Sequence, residues 1–117
     1  METIKGIIEW SEQTFPDATL EGQIDKFNTE YDEYFKAVTD SAKVEELADV
    51  FIVAFSISRF DIAEGLFYIN DAWQLYSDSK FSLDELTQAI QWKMGQNRLR
   101  TWEKKNGNYQ HKGEANE

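Results

Sequence analysis

Apolar residues along the chain recur every three or four positions, the period of a helix buried on one face. Ile4, Ile7, Ile8 and Trp10 trace a short first helix, closed by the segment SEQTFP. After Pro16, the positions Leu20, Ile24, Phe27, Tyr31, Tyr34, Phe35 and Val38 repeat over about five turns and predict an amphipathic second helix. Asp40 and Ser41 are N-cap candidates for a third, VEELADVFIVAFSISRF. From Leu47 onward that helix is apolar nearly all round, so it is expected to be the central one. Asp61 to Gly65 marks a break before a fourth helix, LFYINDAWQLYSD, whose Phe67, Tyr68, Trp73 and Tyr76 do not keep to one face. Ser82 and Glu85 form a capping-box pattern that opens a fifth helix, Leu83 to about Lys104. A single proline and six glycines agree with helices rather than strands and turns. The expected fold is all-α, a bundle of four to five helices. Residues 1–104 make one helical domain and 105–117 a flexible polar C-terminal tail.

Composition bounds the chemistry. A chain of 117 residues fits one domain, and 41% hydrophobic with 15% aromatic residues supplies a core despite the charge. Twenty-two acidic against twelve basic residues give a net charge of −10, which argues against a nucleic-acid partner. The absence of cysteine excludes disulfides, thiolate metal sites and thiol nucleophiles. The N-terminal segment lacks the continuous apolar stretch of a signal peptide. The most apolar run, Leu47 to Ile57, is about half of the roughly 20 residues that a membrane span needs. A cytoplasmic protein with no membrane association is the expectation. The only histidine, His111, falls in the tail, which excludes histidine-based catalysis and histidine-rich metal sites.

Carboxylates remain as reactive groups. Glu30 with Glu33 on the second helix, and Glu46 with Asp49 on the third, are each spaced i, i+3, one turn apart on a single face. A short connection between these helices would bring the two pairs together. Four converging acids repel one another unless a cation compensates, and magnesium suits an all-oxygen set, with manganese able to substitute. A second account of the same residues stays open: acids near a helix start, here Glu45, Glu46 and Asp49, stabilise the helix through its dipole.

On the fifth helix, Lys93, Asn97 and Arg100 fall at i, i+4 and i+7, and residues 93–105 hold five of the chain's basic residues with only Glu103 opposing. Such a stripe can hold phosphate oxygens, or it can be a solvated face balancing an acidic body. Trp92 and Trp102, like Trp10 and Phe15, read as core or interface residues, and the aromatics of the fourth helix as a subunit interface.

The arrangement ExxE (Glu30, Glu33), a gap of twelve residues, and ExxD (Glu46, Asp49), followed by KMGQNRLRTW, resembles the MazG-like all-α nucleoside triphosphate pyrophosphohydrolases. The resemblance spans roughly residues 8 to 104 and includes the lead-in WSEQTFPDATLEGQIDKFNTE. It implies a MazG-like bundle completed by oligomerisation, as a homodimer or homotetramer, in the cytoplasm (the host's, for a phage-encoded protein). It also implies magnesium-dependent conversion of a (d)NTP to (d)NMP and pyrophosphate, in nucleotide-pool remodelling or house-cleaning, with a leaning to the deoxypurine substrates dATP and dGTP. Carried over by position, Glu30, Glu33, Glu46 and Asp49 are metal ligands, with Glu33 and Glu30 as the catalytic carboxylates. Lys93, Asn97 and Arg100 become substrate contacts, and Trp10 or Phe15 borders the base. The rival from another class is a non-enzymatic acidic helical protein that covers a basic partner or mimics nucleic acid; the net charge favours it and the basic fifth helix opposes it.

Overall fold

The computed structural model describes residues 1–105 and 108–112, with side chains described for residues 1–100 and Trp102. Five helices carry the core: α1 (Ile4–Thr14), α2 (Leu20–Lys36), α3 (Asp40–Ile57), α4 (Ile62–Ser77) and α5 (Leu83–Leu99). The fold is all-α in this sense. A short antiparallel hairpin follows, β1 (Thr101–Lys105) and β2 (Asn108–Lys112), in register from Thr101 opposite Lys112 to Lys105 opposite Asn108. None of the described helices is long and apolar enough to cross a membrane.

Each helix starts where a side-chain oxygen takes over an orphan amide. Thr3, Thr19, Thr39, Asp61 and Ser82 cap α1 to α5 in turn, and at Ser82 the capping box closes with Glu85. The cap of α3 is therefore Thr39, one residue before the expected Asp40, whose carboxylate instead pairs with Lys80 at 2.7 Å.

Helix α3 is the axis of the molecule. Leu47, Ala48 and every residue from Val50 to Ile57 are buried, and α1, α2, α4 and α5 all pack against it. The three-residue link Ala37–Thr39 turns α2 back onto α3, and Lys43 Nζ donates to the Tyr34 carbonyl at 3.0 Å across the hairpin. Arg59, just past α3, donates to the Ser11 carbonyl (2.9 Å), Ser11 Oγ (3.0 Å) and the Phe15 carbonyl (3.1 Å), tying the end of α1 to the axis.

Gly65 lies inside α4 rather than at a break. A Cβ there would stand 2.5 Å from Ser58 Cβ and 2.6 Å from Ser58 Cα, so the glycine lets α4 approach the end of α3. The spread of aromatics on α4 has two causes. Tyr68 packs on Phe27 (4.8 Å between centroids) and Trp73 on Phe51 (5.3 Å), whereas Ile62, Leu66 and Phe67 point outward.

The end of α5 departs from expectation. Arg100 leaves the helical region with ψ 151°, and the residues expected to continue the helix to Lys104 form β1. The Trp102 indole turns back to donate to the Asn97 carbonyl at 3.2 Å and packs on Phe15 and Trp10. Part of the expected tail, Asn108–Lys112, is strand β2, while residues 106–107 and 113–117 and the His111 side chain lie outside what is described. Trp92, expected in core or interface, is 53% exposed.

Candidate functional site

One cavity of about 470 Å³ opens between α2, α3 and α5. Glu30, Glu33, Glu46, Asp49, Lys93, Asn97, Arg100 and Trp10 all line it, so every residue singled out by its spacing reaches the same space. The local cause is helical register. On α2 the lining residues are Gln23, Lys26, Glu30 and Glu33, spaced three, four and three. On α3, Glu46, Asp49, Val53 and Ser56 repeat the same spacing in the opposite direction. Two antiparallel helices with matching stripes thus form two walls, and α5 forms the third.

The acids occupy the end nearest the α2–α3 connection. Oxygens of Glu30, Glu46 and Asp49 lie within 4.8 Å of one another. Glu33 lines the cavity but stands outside this trio, on the exposed rim. Burial, then the charge of Asp49, pushes the Glu30 carboxyl up to about 8; Lys26 opposes the rise, and Glu46 and a hydrogen bond with Asp49 add to it. Glu46 is pushed up to about 7, by burial first and Asp49 next, against the pull of Lys93. Lys93 Nζ sits 3.2 Å from Asp49 Oδ2. Repulsion among the acids is thus relieved in this conformation by a proton on Glu30 and by the Lys93 ammonium.

The donor set fits a hard divalent cation. Carboxylate oxygens facing each other across such an ion, at about 2.0–2.6 Å from it, lie roughly 4–5 Å apart, the scale of this trio. An all-oxygen carboxylate set suits a hard cation better than softer metals. The dipole reading of Glu45, Glu46 and Asp49 does not hold, because α3 starts at Asp40, the acid of its first turn, and all three lie beyond that turn. The Asp49 carboxylate turns inward to Lys93.

The basic wall differs from the expected stripe in one member. Lys93 and Asn97 belong to α5, but Arg100 is its C-cap and reaches the cavity from outside the helix. Asn97 is 6% exposed; its Oδ1 accepts from Arg100 Nη1 at 3.4 Å, and its carbonyl accepts from Trp102. It therefore positions both a cation and a ring. At the far end Trp10, Phe15 and Trp102 form an edge-to-face cluster with centroids 5.0 to 6.1 Å apart.

Sequence reasoning missed Gln23, Lys26 and Ser56, and assigned Trp102 to core or interface alone. The signal for the first two was available, since extending the ExxE spacing toward the start of α2 lands on Lys26 and Gln23. Trp102 carried no such signal, because it reaches the cavity only once α5 has ended. Comparison with protein-family models, with curated proteins and with solved structures yields no match.

Proposed function

We propose that the protein is a magnesium-dependent, MazG-like nucleoside triphosphate pyrophosphohydrolase. The observation that carries this reading is the meeting, in one cavity, of three convergent carboxylates, a basic wall and an aromatic end. A nucleoside triphosphate is divided in the same sense, into a polyanion that needs cations and a flat ring that needs a surface.

Glu30, Glu46 and Asp49 would hold the cation, with Glu33 at the rim. A divalent ion held there supplies neutralisation of phosphate charge and Lewis acidity. The chain's own groups do the rest. Glu33, outside the trio and facing the opening, orients a water and takes its proton as the water oxygen attacks phosphorus. The bridging P–O bond breaks, and pyrophosphate and the monophosphate separate. Lys93 passes from Asp49 to the phosphates, where with Arg100 it stabilises charge developing on the departing group. Asn97 keeps Arg100 in place, and Trp10 borders the base. No serine, cysteine or histidine nucleophile is required, because phosphoryl transfer of this kind depends on positioning and charge.

A second copy of the chain is the proposed partner. Ile62, Leu66 and Trp73 of α4, spaced four and seven, are 68%, 62% and 44% exposed, an apolar face of the kind that oligomers cover.

The test is incubation with a panel of ribo- and deoxyribonucleoside triphosphates plus magnesium, with products separated by anion exchange. Pyrophosphate release that stops with EDTA, and falls about 100-fold or more in Glu33→Gln and Asp49→Asn, supports the reading. Folded protein that releases no pyrophosphate from any of them refutes it.

A further inference from the structure

Gln23 is 5% exposed and lines the cavity, yet among the described residues its side-chain amide has no hydrogen-bond partner. A buried amide left unsatisfied is destabilising, so it is retained where something else completes it. Its surroundings suggest what that is. Glu30 meets Asp49, and Tyr34 meets Lys43, across the antiparallel pair, and the same register sets Gln23 opposite Ser56. Ser56 is also buried and lines the cavity; its hydroxyl donates to the Ile52 carbonyl at 2.9 Å, which leaves the oxygen able to accept. Glu30 lies seven residues along α2 from Gln23, about 10 Å at the rise of a helix. Arg59, three residues beyond Ser56, holds the Phe15 carbonyl, and Phe15 packs on Trp10 and Trp102, so this ring cluster lies at the Ser56 end of the cavity, away from the acids.

We propose that Gln23 reads the edge of a nucleobase. The flat ring lies against the Trp10, Phe15 and Trp102 cluster, and the Gln23 amide pairs through one donor and one acceptor with the adjacent acceptor and donor on the base. The ligand class is therefore a nucleoside or nucleotide, as opposed to inorganic polyphosphate or an alkyl diphosphate. The acids and Lys93 of the proposed hydrolysis deal with phosphate alone; this inference rests on that reading for the orientation of the ligand but not for recognition of the base.

Recognition of the base is tested without phosphate or metal. Deoxyadenosine, deoxyguanosine, deoxycytidine, thymidine and deoxyuridine are titrated in EDTA against wild type, Gln23→Leu and Gln23→Glu, followed by indole fluorescence and amide chemical shifts. At least one nucleoside is expected to bind the wild type and to lose about tenfold or more in affinity with Gln23→Leu. Gln23→Glu, which changes the donor and acceptor pattern but not the shape, is expected to alter the order of preference among the bases. Gln23→Leu removes an unpaired buried amide, so its thermal midpoint should match or exceed that of wild type, which separates lost recognition from lost folding. Failure of every nucleoside to bind, or equal binding by wild type and Gln23→Leu, overturns the proposal. Pyrophosphate release with Gln23-independent nucleoside binding removes this inference and spares the hydrolase. Gln23-dependent binding without pyrophosphate release does the reverse.

Discussion

Replacing Glu30 by glutamine removes one ionisable carboxyl from the half-buried trio and keeps the shape and an N–H able to donate to Asp49. In the metal-free protein the Glu30 carboxyl is raised from 4.5 to about 8. The sign follows from proton counting: between those values the folded state binds more protons than the unfolded one, so stability falls as pH rises. From pH 5 to pH 8 the linkage relation gives a loss on the order of 3–4 kcal/mol from this group. Glu46, raised to about 7, acts in the same direction and is more open to solvent. In EDTA, Glu30→Gln should therefore match wild type within about 1 kcal/mol at pH 5 and exceed it by about 3 kcal/mol at pH 8. With a slope near 1.5 kcal/mol/M, this appears in urea unfolding followed by circular dichroism as a midpoint raised by about 2 M at pH 8. Millimolar magnesium should restore wild type at pH 8 and leave the variant unchanged, because the cation is bound by the ionised trio. A wild type whose stability is flat or rising from pH 5 to 8, or a variant less stable than wild type at pH 8, would refute the reasoning.

Two further outcomes test the packing. Gly65→Ala must move the backbone of Ser58, which a Cβ would approach to 2.6 Å, and the strain should outweigh the helix propensity gained, costing about 1–3 kcal/mol net; a thermal midpoint at or above that of wild type would contradict this. Leu66→Asp places a charge on the exposed face of α4, and light scattering should show the proposed oligomer reduced to a monomer with the helical spectrum intact. A wild type that is already monomeric at micromolar concentration would rule out the covered face.

Much of the helical body is legible in the sequence because each signal is local. Leu47 to Ile57 reads as a buried axis from composition alone, and Ser82 with Glu85 reads as a cap from two residues. Thr39 does not stand out as a cap because Asp40 and Ser41 beside it are equally good cap formers, and the choice between neighbours is made by the α2–α3 link. The end of α5 falls short of the expected Lys104 for a physical reason. Residues 100–105 contain no helix breaker, and the decision is tertiary: Trp102 gains ring contacts with Phe15 and Trp10 only if the chain turns at Arg100. A local clue to the hairpin was nonetheless present in the dipeptide Asn106-Gly107, which falls between the two paired segments and is a strong hairpin signal. Placement of the acids was legible because i, i+3 spacing and a short connection leave little freedom. Pairing of Asp49 with Lys93 was not, since it depends on how α5 lies across α3.

The chain bears −10 overall, yet four acids and three cations, Lys26, Lys93 and Arg100, line the cavity. The cavity itself is thus formally one negative charge from neutral, and a proton on Glu30 closes the difference. A free triphosphate entering this space meets the repulsion of the whole body at long range and finds no net positive charge within. A divalent cation held by the trio would bring the cavity from −1 to +1, and Lys93, no longer needed beside Asp49, would be free to meet an anion. Cation and nucleotide should therefore bind with positive coupling: each raises affinity for the other by the same factor, as linkage requires. The body field alone favours arrival of the nucleotide as its magnesium complex, whose charge is lower, and it acts against any longer polyanion.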